Sequence, residues 1–306
     1  MNTALIFIVS FLVTLFLTPL FIKLSKKLNI YDQPEELKIH TKPIPYLGGV
    51  AIFIGFFTAM VIGIYSGNLS IDVHQAYFIL IGAFILLITG LLDDIKKIRN
   101  IYKLIFEFLV IILLLSTGLR ISIFHNVFLS IFFAAFWIVY VINAFNIIDG
   151  LDGLAAGVAI ICSFFFMIIY LIMGSSLAVM LCLALMGSSL AFLIFNFNPA
   201  KIFMGDAGSL FIGFILSIIP LVGFIKTRNV IIVGLVPVLI LGFIIFEAAF
   251  ALIKRFIKGR NIFSRDLGQI FHLWYHKIRN QRKTILLVYL INILLGLFSL
   301  FLLFKL

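Results

Sequence analysis

The sequence predicts an all-α membrane protein of about ten transmembrane helices, and three observations carry that prediction. Of its 306 residues, 64% are hydrophobic and 11% are charged, whereas a soluble domain is about 45–50% apolar and about 25% charged. So few charges cannot cover a water-facing surface, which leaves lipid as the solvent for much of the chain. The apolar residues run in long unbroken stretches, unlike the apolar–polar alternation of a membrane β-barrel, and helices satisfy their own backbone hydrogen bonds in hydrocarbon. The basic residues, finally, crowd into alternate loops.

A hydrocarbon core about 30 Å thick takes roughly 20 helical residues. Segments of that kind fall at 2–22, 45–66, 75–92, 103–117, 127–145, 153–173, 176–195, 209–225, 230–253 and 284–304, the fourth being the shortest. The first lacks a basic leader and a small-residue cleavage signal, so it is expected to be a retained helix and not a signal peptide. No repeat, low-complexity linker or soluble insert interrupts the chain, and 1–306 reads as one polytopic domain. Cys162 and Cys182 lie inside the sixth and seventh segments without metal-type spacing and read as small packing residues.

Orientation follows from lysine and arginine. Nineteen of the 23 fall in the loops after segments one, three, seven and nine, leaving Arg120, Lys226, Arg228 and Lys305 on the other side. The positive-inside rule makes the crowded side cytoplasmic and puts both termini outside. The net charge of +11 is then a topology signal, and no nucleic-acid partner is expected. The acids share the asymmetry, with Asp72 the one among twelve Asp and Glu in an outer loop. Carboxylates contribute little to orientation, and one at the bilayer centre costs about 3 kcal/mol or more. Their gathering points to a cytoplasmic active site.

Asp93 and Asp94 close the third segment. Adjacent carboxylates persist where a cation compensates them, and Lys96, Lys97 and Lys103 are local candidates. A solvated helix end is the plain alternative, and proton acceptance or metal binding the chemical ones. The run Asn143–Gly157 carries Asn143, Asn146, Asp149 and Asp152 three apart, a spacing that can share one helical face, with Gly150 and Gly153 allowing close backbone approach. Hard oxygen donors of this kind suit Mg²⁺, with Mn²⁺ an allowed substitute. In Asn196–Ser209, Asp206 precedes segment eight, where it could cap the helix or bind metal, and free N–H groups at that helix start would suit phosphate.

Two loops add basic and aromatic groups. From His40 to Gly49 the chain holds Lys42, two prolines and a glycine pair; Lys42 suits a phosphate or the lipid headgroups. In the last large loop His272 and His276 stand four apart among Arg265, Asp266, Lys277 and Arg279, but Leu273 replaces the glutamate of the zinc-protease signature, and phosphate is the better match. An aromatic interfacial belt around Trp274 and Tyr275 is the alternative there.

Taken in order, these runs resemble the polyprenyl-phosphate N-acetylhexosamine-1-phosphate transferase family over nearly the whole chain, and most closely its bacterial branch that primes glycan assembly. The resemblance implies a multi-pass protein of the bacterial cell membrane with an intracellular site. It also implies Mg²⁺, a UDP-N-acetylhexosamine donor and undecaprenyl phosphate as acceptor. Matched position by position, it gives Asp206 and Asn146 to the metal and Asp93 and Asp94 to the lipid-phosphate side. Asp149 and Asp152 go to a nucleotide-facing loop, and Lys103 is the basic residue that follows the acidic pair. Asn143, Asn196, Lys42 and His272 complete the expected substrate contacts. The chain departs from the family where Gln269-Ile270-Phe271-His272 stands for a histidine cluster, where Glu247 replaces Asp, where Glu107 stands at a site often held by Gln, and where Leu37 replaces a basic residue. The expected activity is sugar-1-phosphate transfer with release of UMP, in a protein that could form a homodimer. A non-catalytic polytopic transporter or flippase, and a muramoyl-pentapeptide-type phosphotransferase, are the alternatives.

Overall fold

The structure, a computed structural model, describes residues 3–34, 40–66, 72–121, 123–223, 229, 231–259 and 268–305. Leu37, Lys38, Lys226, Arg228, Arg265 and Asp266, named above, lie outside the described residues. The elements run α1 Thr3–Lys27, β1 Tyr31–Asp32, β2 Ile44–Pro45, α2 Gly48–Tyr65, α3 Val73–Lys96, α4 Asn100–Leu115, α5 Val127–Ile148 and α6 Leu154–Met173. They continue with α7 Ser176–Asn196, α8 Gly205–Gly223, a π-helical turn Ile231–Leu235, α9 Val236–Ile240, α10 Gly242–Ile257, α11 Ile270–Ile278 and α12 Gln281–Lys305.

Among the described residues, eight helices are long and apolar enough to cross a membrane: α1, α2, α3, α5, α6, α7, α8 and α12. The ninth expected segment is broken, its two halves meeting at 77°, and counts as a further span only if the bent pair is taken together. The fourth falls short: α4 has 16 residues, about 24 Å of helix against a core of about 30 Å. By length and composition, the described residues thus hold eight or nine candidate spans where about ten were expected. Two short elements were also missing from the all-α reading. Tyr31–Asp32 pairs antiparallel with Ile44–Pro45, and α11 lies between α10 and α12. Segments of two and nine residues are too brief to leave a periodic signal.

Local chemistry sets several helix starts. Asp72 caps α3 by accepting from the Gln75 N–H, and Asn126 caps α5 by accepting from the Phe128 and Leu129 N–H groups. In the packing, α1 lies on α2 and α7, α6 on α7, and both α3 and α5 on α8. The middle of the molecule is α8, whose apolar window is 94% buried, while α1 and α12 face outward with 22% and 28% of theirs buried. Whatever begins α8 is therefore held by helices on several sides. Asp206 begins it.

Candidate active site

Segment 203–206 is fixed before any charged group is considered. Phe203 donates its N–H to the Pro45 carbonyl at 2.8 Å, Gly48 donates to the Phe203 carbonyl at 3.0 Å, and Gly49 donates to the Met204 carbonyl at 2.9 Å. The chain entering α8 is thus stitched to the chain entering α2. On the other side, a Cβ on Gly90 of α3 would collide with the Asp206 backbone. Only a glycine lets α3 approach α8 so closely.

That approach brings the α3 acids to the α8 start, and the two act differently. Asp94 accepts from the backbone N–H groups of Asp206 at 2.8 Å and Ala207 at 3.1 Å, capping α8 from a neighbouring helix. Two of the N–H groups expected there for phosphate, those of Asp206 and Ala207, are thus bonded to Asp94. Asp93 turns instead to Lys103 of α4, whose ammonium donates to Asp93 at 3.0 Å and to Asp206 at 2.7 Å. Of the lysines near the acidic pair, Lys103 is the compensating cation; Lys96 and Lys97 are exposed.

α5 supplies the neutral polar side. The Asn146 amide donates to Ser209 Oγ at 2.7 Å and also bonds the Asp206 carboxylate. One turn earlier, Asn143 donates to Glu107 Oε2 at 2.8 Å. Glu107 stands four residues after Lys103 on α4 and is fully buried. The shared helical face expected for the four-residue set holds for the asparagines only, because α5 ends at Ile148 and leaves Asp149 and Asp152 in the following loop.

In that loop Asp152 is pinned, accepting from Asn198 Nδ2 and the Ala200 N–H, each at 3.0 Å. Asn196 spends its amide on the backbone, accepting from the Gly153 N–H and donating to the Ile202 carbonyl. Tyr289 of α12 donates to the Gly153 carbonyl at 2.5 Å. Asp149 faces the acids: burial pushes its pKa up to about 7, and Asp206, Asp32 and Asp152 add to the rise. His272 borders this loop, its Nε2 lying 3.3 Å from where a Cβ on Gly150 would sit. Glu247 positions His272's helix by accepting from the Ile270 N–H at 2.5 Å, and Lys254 donates to the Gly268 carbonyl at 3.0 Å. Lys42 is exposed at the rim.

Sequence reasoning missed two residues. Asp32 pairs with His40 Nε2 at 2.9 Å, and the His40 ring stands edge-on to Phe203 at 5.3 Å. Tyr46 has its phenol pushed well above the ordinary value by burial, then by Asp94, Asp32, Asp206 and Asp149. Those four acids come from four separate stretches of chain, and Tyr46 lies among them. The Pro-Tyr-Leu-Gly-Gly run was the available signal for Tyr46; Asp32 had none beyond its loop.

The donor set fits a hard divalent cation in composition. Asp206, Asp93 and the Asn146 amide offer oxygens of the type Mg²⁺ takes, and that ion commonly uses one or two carboxylates plus water and phosphate. Among the described residues, no group of three His, Cys, Asp or Glu side chains is arranged to hold a metal by itself. The arrangement gathers negative charge, holds a lysine against it, and sets a histidine beside the adjoining loop.

Residues 76–224 match the family described as glycosyl transferase family 4, a span that includes α3, α4, the Asn143–Asp152 run and the start of α8. A probable undecaprenyl-phosphate N-acetylglucosaminyl 1-phosphate transferase of Bacillus subtilis (strain 168) is 37% identical over 295 residues, 94% of this chain and 81% of the relative. An undecaprenyl-phosphate alpha-N-acetylglucosaminyl 1-phosphate transferase of Thermotoga maritima is 29% identical over 278 residues, 90% of this chain and 84% of the relative. A phospho-N-acetylmuramoyl-pentapeptide-transferase of Streptococcus pneumoniae serotype 2 is 36% identical over 235 residues, 70% of this chain and 71% of the relative. With carboxylates from α3, α8 and the α5–α6 loop meeting at one end of a helical bundle, the chain belongs to glycosyl transferase family 4, as a multi-pass membrane protein of a phospho-sugar transferase family.

Proposed function

We propose that the protein transfers N-acetylhexosamine-1-phosphate from a UDP-sugar to undecaprenyl phosphate at the cytoplasmic face of a bacterial cell membrane, releasing UMP. The observation that carries this reading is the Lys103 ammonium bridging Asp93 and Asp206 beside Asp149 and Asn146. A lone buried carboxylate would be costly, and four gathered around one phenol call for a cationic partner. The names of the relatives supply the acceptor and the transferred group, and the UDP carrier is part of the proposal. A 37% identical match over 94% of the chain favours the N-acetylhexosamine reading over the muramoyl-pentapeptide one, whose matches cover 70% and 84% of it.

In the reaction an oxygen of the lipid phosphate attacks the β-phosphorus of the donor. The new O–P bond forms as the bridge to the α-phosphate breaks, and UMP leaves. Mg²⁺ held by Asp206 and Asn146 would neutralise the diphosphate and its leaving group. Lys103 holds the Asp93 and Asp206 carboxylates in register and offers its ammonium to phosphate oxygens. Asp93 accepts the proton when the acceptor phosphate arrives singly protonated. His272, beside Gly150, bears on the donor's phosphates, and the pinned Asp149–Gly153 loop frames the nucleotide. Asp94 acts through the α8 start and is a positioning residue. A transporter would place its ionisable groups near the middle of broken helices, whereas here Asp93, Asp94, Asp149 and Asp206 collect at helix ends.

Purified protein with undecaprenyl phosphate, Mg²⁺ and radiolabelled UDP-N-acetylglucosamine is expected to release UMP and form a lipid-linked product. Asp206→Ala should lower the rate by about 100-fold or more, the scale of losing one charge-stabilising group. Mg²⁺-independent turnover, or an active Asp206→Ala protein, would reject the assignment of the metal. No turnover with any UDP-N-acetylhexosamine would reject the function.

A further inference from the structure

A second cavity lies at the far end of the bundle. It has a volume of about 270 Å³ and is walled by Phe133, Phe136, Trp137, Pro220, Val233 and Val238 among others. Pro220 stands fourteen residues along α8 from Asp206, about 21 Å of helix rise, so this cavity is separate from the acidic site and independent of the function proposed there. The Trp137 indole is already committed, donating to the Ser217 carbonyl at 3.0 Å. That leaves an apolar interior in which Arg120 is the charged side chain among the described lining residues. Arg120 is exposed, in the connection between α4 and α5, and makes no ion pair or hydrogen bond among the described residues.

The π-helical turn Ile231–Leu235 contributes Val233 and Gly234 to the wall. Such turns are uncommon and recur at functional sites. A Cβ on Gly234 would meet nothing within 4 Å, so this stretch of the lining has room for added bulk.

We propose that this cavity binds one anionic phospholipid of the leaflet at that end of the bundle, with its phosphate on Arg120 and an acyl chain between α5, α8 and the π-helical turn. The complementarity has two parts. An unpaired guanidinium at the mouth matches a phosphate with bidentate hydrogen bonds, and the aromatic and aliphatic wall takes the hydrocarbon. A free anion would gain nothing from the wall, and an uncharged lipid nothing from Arg120.

The test is native mass spectrometry of the full chain in detergent, titrated in separate samples with phosphatidylglycerol, phosphatidylcholine and undecaprenyl phosphate. Phosphatidylglycerol should be retained in preference to phosphatidylcholine. Arg120→Gln should weaken its retention about fivefold, the share of one basic side chain at an anionic lipid surface. Gly234→Leu, which adds bulk at the cavity lining and leaves Arg120 in place, should weaken retention of both phospholipids, and both variants should hold undecaprenyl phosphate as the parent does. Equal retention of the two phospholipids, or phosphatidylglycerol binding unchanged in both variants, would overturn the proposal. So would a Gly234→Leu protein that loses undecaprenyl phosphate alone, because the cavity would then belong to the prenyl chain.

Discussion

Lys103 holds two carboxylates at hydrogen-bond distance and is itself mostly buried, with 14% of its side chain exposed. Replacing it by methionine keeps the length and removes the charge, leaving Asp93 and Asp206 to repel each other. Lys103→Met is expected to cost about 3–5 kcal/mol, read as a lowered Tm in detergent. If the carboxylates also take a divalent ion, Mg²⁺ should recover more stability in that variant than it adds to the parent. Asp149 makes a pH prediction. Its carboxyl titrates at about 7 when folded, raised from 3.8, so the folded protein favours the neutral form. The resulting penalty on folding is absent below pH about 4, grows as pH rises between the two values, and is complete above about 7. Asp149→Asn should therefore raise Tm in metal-free buffer at pH 8 and by progressively less down to pH 4. A gain that is the same at both pH values would show that ionisation is not its source.

At the scale of elements, the sequence announced the acidic runs but not how each helix would divide them. Asp93 and Asp94 read as a pair because they are adjacent. Consecutive helical residues point about 100° apart, so one met Lys103 while the other capped α8. Asn143 and Asn146 kept their shared face because α5 continues past them to Ile148; Asp149 and Asp152 lost theirs because it ends there. Asp32 was illegible, since its place depends on a two-residue strand pair and on contacts with chain far downstream. The close approach of α3 to α8 also left only a single glycine as a trace. Gly90→Ala is expected to force these helices apart, with an overpacking cost of about 1–3 kcal/mol and a fall in transferase rate greater than the loss of folded protein. Circular dichroism melting beside the UMP assay checks both.

For the whole molecule, hydropathy located the spans well wherever a helix is long and straight, and poorly where α4 is short and the α9–α10 segment bends by 77°. Charge asymmetry predicts the orientation, which cysteine labelling can measure. The native cysteines are both buried, so background reaction should be low. Cysteines placed at the exposed Lys201 and Lys283 should react with an impermeant maleimide only after intact cells are opened, and one at the exposed His125 should react from outside. The reverse pattern would invert the proposed topology. The Lys103–Asp206 contact spans 103 residues of sequence, and His272 lies still further on. A ribosome feeding this chain into a bilayer completes α3, α4 and α5 before the residue that answers them has been synthesised, and long-range contacts of this kind form late. Nascent and prematurely terminated chains are consequently inert toward sugar nucleotide, and translation arrested before codon 206 should yield inserted protein with no turnover at all.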